Sequence, residues 1–327
     1  MIVNLPDTTT SKVSKELMAL REQGGVTALG RVLTLVVVTK SGLEEEAIEA
    51  ANDASREHPC RIIVLAHAGK DHADRLDAQI RVGGDAGASE VIVLRGYGQL
   101  AHESESLVAA LLLPDAPIVA WWPHRAPQNA CETTIGAIAH RRITDSANEP
   151  DPQAALERIH RTYKAGDTDL AWTRLTNWRI QLAAALDQVD ASSVLAAEVE
   201  GAPDSPSPLL MAAWLGAALD VPVARREGPT GTGLRCVRLI LREGEIRLVR
   251  PGLAVTELSL PGQRAQRISL PRPSLRDCLA EELSRLDPDP VFGEVLAAVG
   301  RVRIEAPVAA SPEPVAPNPL QECLAAV

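Results

Sequence analysis

Two carboxylates, Asp167 and Asp169, flank Thr168 in the stretch GDTDLAWTRLTNWR, immediately ahead of a helical hydrophobic pattern. Acids at a helix start can cap it, favouring its positive end by a few tenths to about 1 kcal/mol, or they can face outward for recognition. Both readings stand at this level. Behind them Ala171, Leu175, Trp178, Leu182, Ala185 and Val189 recur at alternating four and three residues, which predicts one packing stripe and assigns Trp178 to the core. Trp172 is rotated about one hundred degrees from Ala171 and shares its side with Thr176 and Arg179, so it is expected over a polar boundary or against another surface.

A second aromatic concentration lies in LLLPDAPIVAWWPHRAP, where Trp121 and Trp122 hold two of only eight aromatic side chains. On a strand consecutive side chains point to opposite faces, so the pair places one tryptophan on each face of a sheet. Pro123 limits the strand and sets both rings at its carboxyl end, the edge where open α/β sheets bind ligands. Packing beneath flanking elements is one reading; an aromatic anchor at a protein interface is the other. His124 and Arg125 follow directly and could contact an anion, which makes a sugar-phosphate-binding enzyme or sensor the alternative function.

Other motifs point away from familiar catalysis. The turn after Val38 reads TKSG, without the G-x-G-x-x-G of dinucleotide binding. HAGKDH lacks the glycine and the Ser or Thr that complete a P-loop, and Gly83, Gly84 and Gly87 fit a tight strand connection. There is no G-x-S-x-G elbow and no H-E-x-x-H pair. His67, His72, Asp71 and Asp74 read as a solvated loop rather than a metal site. The sequence thus assigns no catalytic residue, no cofactor and no metal.

The elements that must position these residues begin with an amphipathic helix near Lys12–Arg21, on which Val13, Leu17 and Leu20 share a face. RVLTLVVV is a β-branched run suited to a strand covered on both sides; Ser41 and Glu44 then offer a capping box for a helix, and CRIIVLA returns as the next strand. Two more strands are expected within 76–95, a helix over 100–113, and a strand at PIVAWW. Together these predict an α/β domain over 1–150 with a mostly parallel, helix-covered sheet. Residues 151–304 read as an α+β domain. Asp151 and Pro152 open a helix there, Ser205 and Pro206 another, 234–270 resembles an antiparallel meander, and Ser274 starts a helix that packs Cys278. From Glu305 to Val327 a proline-rich composition predicts a mobile tail.

The 33 basic and 43 acidic residues give a net charge of −10, which opposes nucleic acid or an anionic membrane surface as a partner. No apolar run is long enough to span a bilayer, the first residues show no signal-peptide pattern, and the five cysteines are dispersed, so a cytoplasmic, reducing compartment is expected.

Several blocks carry a family resemblance: MIVNLPDTTT, GRVLTLVVV, HPCRIIVLA, LDAQIRVGGDAGASEVIVLR, LLLPDAPIVAWWP, RRITDSA and GDTDLAWTRLTNWR. In content and order they resemble the OpcA glucose-6-phosphate dehydrogenase assembly proteins of actinobacteria and cyanobacteria. The resemblance is dense through about Gln188, looser through DCLAEELSRLDPD and absent from the tail. It implies a non-catalytic partner that promotes assembly or activity of glucose-6-phosphate dehydrogenase, with the dehydrogenase carrying the NADP. Trp121, Trp122, Asp167, Asp169, Trp172, Arg174 and Trp178 lie in matching blocks and are the partner-binding candidates. Redox control, which some relatives imply, would need activated thiols, and the cysteines show no such pair. Self-association is not legible.

Overall fold

The computed structural model describes residues 1–24, 31–82, 90–102, 104–252 and 255–305. Gly83, Gly84 and Gly87, the proline-rich stretch beyond Glu305 and Cys323 lie outside the described residues.

The first sheet is built from strands β1 (Ile2–Leu5), β2 (Leu33–Lys40), β3 (Cys60–Gly69), β4 (Arg75–Arg81), β5 (Glu90–Tyr97), β6 (Ile118–Trp122), β7 (Arg141–Thr144) and β8 (Asp167–Asp169). Their order is β1-β4-β5-β3-β2-β6-β7-β8. From β5 through β8 every pairing is parallel, and only β4 is reversed, pairing antiparallel with β1 on one side and β5 on the other. Burial on both faces explains the continuous apolar runs in β2 and β3. One face is covered by helix α2 (Glu44–Ala54), whose Ala47, Ile48 and Ala51 pack with Leu33, Leu35 and Val37. The other is covered by α1 (Thr10–Gly24) through Val13, Leu17 and Leu20, and by α3 (Thr134–Ile138) through Ile135.

Two local readings are corrected here. The helix expected over 100–113 is a chain of short 3-10 turns at Gly98–Ala101, Glu105–Leu107 and Ala109–Leu111. Ser104 accepts a hydrogen bond from the Ser106 amide, a local bond that competes with helix, while Leu107, Val108 and Leu111 still reach the sheet. Ser41 does not cap α2. Gly42 turns the chain at φ +92°, and its amide donates to the Glu44 carboxylate.

The second sheet contains β9 (Val194–Gly201), β10 (Val223–Glu227), β11 (Leu234–Leu241), β12 (Glu245–Val249), β13 (Val255–Ser259), β14 (Gln266–Ser269) and β15 (Arg303–Glu305). The order is β14-β13-β12-β11-β9-β10-β15, with β11 to β14 forming the predicted antiparallel meander. Helices α4 (Pro152–Thr162), α5 (Leu170–Thr173), α6 (Thr176–Leu186), α7 (Ser207–Leu219) and α9 (Pro290–Ala298) contribute to its core. Asp151 caps α4 by accepting from the Ala154 amide, as its position ahead of Pro152 predicts. Helix α8 (Leu275–Leu283) has the Ser274–Asp277 capping box.

The boundary expected at 150/151 does not follow the cores. β8 adds to the first sheet, and α8 packs Cys278, Leu279, Ala280 and Leu283 into the first core beside α2, whereas α9 joins the second. The chain therefore crosses between cores more than once. A three-residue polar strand has no hydrophobic period to reveal it, and a helix stripe does not say which sheet it will meet. Among the described residues no helix is long and apolar enough to cross a membrane.

Candidate functional site at the seam between the cores

Gly166 turns the chain at φ +96°, in a position where a Cβ would lie 2.7 Å from the His140 carbonyl, and so delivers Asp167 into β8. Beyond it, neighbouring residues serve different cores. Leu170 packs with the first sheet, while Ala171, Trp172, Leu175 and Trp178 pack with the second. The predicted continuous helix is divided into α5 and α6 around Arg174 and Leu175.

Asp169 is completely buried and caps α5 through the Ala171 amide at 2.9 Å. Its carboxylate also accepts from Thr144 Oγ1 (2.6 Å), Ser146 N (2.8 Å) and Ser146 Oγ (2.7 Å). Both oxygens are thus occupied as acceptors, and the acid ties β7 and the Ser146–Asn148 turn to α5. Asp167 is held by Arg142 and by the Lys164 amide, and Arg142 also reaches the carbonyls of Ala139 and Ala165. Asp145 receives both terminal nitrogens of Arg174 at 2.7 Å. Burial disfavours the charge on Arg174, but the paired hydrogen bonds to Asp145 and the charge of that carboxylate together outweigh it and raise its pKa above the ordinary arginine value.

A second set of bonds crosses the seam. Arg141 donates to Glu282 of α8 at 2.5 Å, and the same carboxylate accepts from Thr173 at 2.6 Å. Trp172 donates its indole N–H to Asp289, the residue that caps α9, at 2.8 Å. Its ring lies 3.7 Å beneath the Arg179 guanidinium carbon and beside Phe292. The polar boundary predicted for Trp172 exists, but it is internal: the side chain is 1% exposed.

Trp121 and Trp122 occupy opposite faces as the strand parity predicts, Trp121 in the core under α2 and α8, Trp122 in the core under α1 and α3. Among the described residues the Trp121 indole N–H has no hydrogen-bond partner. The structure gathers Asp167, Asp169, Trp172, Arg174 and Trp178 at the seam and leaves the tryptophan pair in β6. Six of the seven partner-binding candidates are buried, and Arg174 is pinned to Asp145. Their positions correct the expectation of direct contact, since a buried side chain supports a surface without presenting one. Thr144, Asp145, Ser146, Glu282 and Asp289 complete the network and were not among the candidates; the polar run TDS after an apolar Ile143 signals the first three, and the Asp289–Pro290 helix start signals the last.

Asp169 is saturated with four donors, burial raises the pKa of Asp145 and Glu282 above the ordinary carboxylate values, and it pushes the Cys278 thiol up to about 12, as it does that of Cys60. Among the described residues no group of three or more His, Cys, Asp or Glu side chains is placed to hold a metal.

Fold and seam define a two-sheet α/β protein whose cores are interlocked by a buried polar network. Two family models match, described as the glucose-6-phosphate dehydrogenase subunit N-terminal domain over residues 51–161 and the corresponding C-terminal domain over 165–296. The chain belongs to the OpcA glucose-6-phosphate dehydrogenase assembly family. No curated protein matches it. Among solved structures, glucose-6-phosphate 1-dehydrogenase from Mycobacterium avium is 11% identical, with 86% of this chain and 96% of that chain covered and a TM-score of 0.41. An oxidoreductase from Thermotoga maritima is 10% identical, with 82% and 95% covered and a TM-score of 0.37. Similarities this slight carry no argument about fold or function.

Proposed function

We propose that this chain is a non-catalytic subunit that binds glucose-6-phosphate dehydrogenase and favours its active conformation or oligomer, supporting NADPH formation in the oxidative pentose phosphate pathway of the cytoplasm. The observation that carries the reading is the pair of family models, both described as parts of a glucose-6-phosphate dehydrogenase subunit. The saturated Asp169 carboxylate and the raised thiols of Cys60 and Cys278 support a binding role over a catalytic one. Such a partner activates only by binding the active state more tightly, and a tenfold difference corresponds to about 1.4 kcal/mol. The buried tryptophans and the Asp169 network contribute by holding the two cores in one relative position.

NADPH formation by the dehydrogenase of the same organism, measured with and without this chain while light scattering reports complex mass, tests the reading. A higher rate together with a heavier complex is expected. An unchanged rate and unchanged masses, with both proteins folded, would overturn it.

A further inference from the structure

The first sheet changes winding direction at β2. Its connection to β3 runs through α2 on one face, and the connection from β5 to β6 runs through the 3-10 turns on the other, so β3 and β6 flank β2. Connections that diverge to opposite faces leave a crevice outside the carboxyl ends of the strands, the place where open α/β sheets take their ligands. A recess of about 600 Å³ lies there, within the range of small-molecule sites.

Its lining carries four basic side chains, Lys40, His67, His124 and Arg125, and no carboxylate, although the chain as a whole has a charge of −10. The adjacent acids are committed elsewhere: Glu44 pairs with Arg95, and Glu149 pairs with Arg158. Among the described residues neither Lys40 nor Arg125 makes an ion pair, and both are exposed. In the same wall Thr39 is 5% exposed, and its buried hydroxyl has no hydrogen-bond partner among the described residues. An unpaired buried hydroxyl costs stability unless something supplies the bond, and a ligand oxygen would do so.

The walls are held before any ligand arrives. His124 Nε2 lies 3.2 Å from the Leu43 carbonyl, which can only accept, so Nε2 carries the proton and Nδ1 accepts from Asn148 at 3.2 Å. Asn148 also donates to the Pro123 carbonyl, and Glu149 accepts from the Ala126 amide. The position a cofactor phosphate takes in dinucleotide-binding folds, at the first turn of the helix after the first parallel strand, is filled here by the Glu44 carboxylate on the Gly42 amide.

We propose that this recess binds a phosphate monoester of metabolite size, its phosphate between Lys40 and Arg125, its organic body against Leu43, Pro127 and Pro150, and one oxygen on the Thr39 hydroxyl. The site does not depend on the dehydrogenase reading, because it is defined within this chain alone. Isothermal titration of the full chain with glucose 6-phosphate and, separately, with AMP distinguishes the two sources of such a group; glucose and inorganic phosphate are the controls. One-to-one saturable heat is expected with one of the two esters, at least tenfold tighter than with inorganic phosphate. Lys40→Met and Arg125→Met should each weaken it at least fivefold with unchanged circular dichroism, since both side chains are exposed. No saturation by either ester up to several millimolar would overturn the proposal. So would equal affinity for inorganic phosphate, or ester binding that survives both substitutions.

Discussion

Arginine–carboxylate pairs occur in two settings in this molecule, and their surroundings separate them. At the seam Arg141–Glu282 and Arg174–Asp145 are closed off from water, with the four side chains between 1% and 11% exposed. On the outward face of the second sheet, Arg226, Glu198, Arg238 and Glu245 form a ladder of similar lengths, 2.6–2.8 Å, with up to 39% exposure. Equal distance does not mean equal energy. Water screens the ladder and solvates a partner left behind, so each exposed pair contributes up to about 1 kcal/mol. At the seam a missing partner leaves charge or donors stranded, so breaking a pair costs far more than the pair contributes. The ladder keeps one face of an antiparallel sheet soluble, whereas the seam specifies how two cores meet.

The sharpest way to break this contrast is Asp169→Ala, which leaves the Ser146 and Ala171 amides and the Ser146 hydroxyl without their acceptor and Thr144 with only the Thr168 carbonyl. A loss of about 3–4 kcal/mol in urea unfolding is expected, and a loss below 1 kcal/mol would place Asp169 with the exposed class.

Glu90 of β5 extends the buried class to the first sheet, where it meets Arg21, Arg31 and Arg61 at 2.6, 2.8 and 3.2 Å. Burial pushes its pKa up, but the hydrogen bonds and charges of the three arginines outweigh burial and hold it below the ordinary glutamate value of 4.5. The folded protein therefore binds that proton less readily than the unfolded chain. The stabilisation is present above pH 4.5 and is lost as pH falls through the lowered value. Glu90→Gln should cost about 1.5–3 kcal/mol at pH 7. Its melting temperature should also decline less steeply than that of the unsubstituted protein below pH 4.5, and parallel declines would remove Glu90 from the acid response. At the small end, Arg238→Ala should change unfolding free energy by about 0.2–1 kcal/mol, decreasing further in high salt. A larger, salt-insensitive loss would show that the ladder is not screened.

Much of the local architecture was legible. The β-branched runs marked β2 and β3, Asp151–Pro152 and Ser274 marked helix starts, and strand parity separated Trp121 from Trp122. Each signal is carried by residues within a few positions of one another. The seam was not legible because Asp169 meets Ser146, Arg141 meets Glu282, and Trp172 meets Asp289 across 23, 141 and 117 positions. Trp172 shows the limit well: its helical phase predicted a polar neighbour, but whether that neighbour was solvent, a partner or Asp289 depended on where α9 packed.

By itself the sequence determined the fold class, the family, the meander and the alternation of faces, because periodicity, capping and turn chemistry act over short stretches of chain. Tertiary structure alone decided that β8 joins the first sheet, that α8 returns to cover it, that the candidate acids and tryptophans are buried, and that basic side chains from β2, β3 and the loop after β6 converge on one recess. The physical reason is that burial and charge pairing depend on spatial neighbours, and those neighbours are set only when both cores have closed.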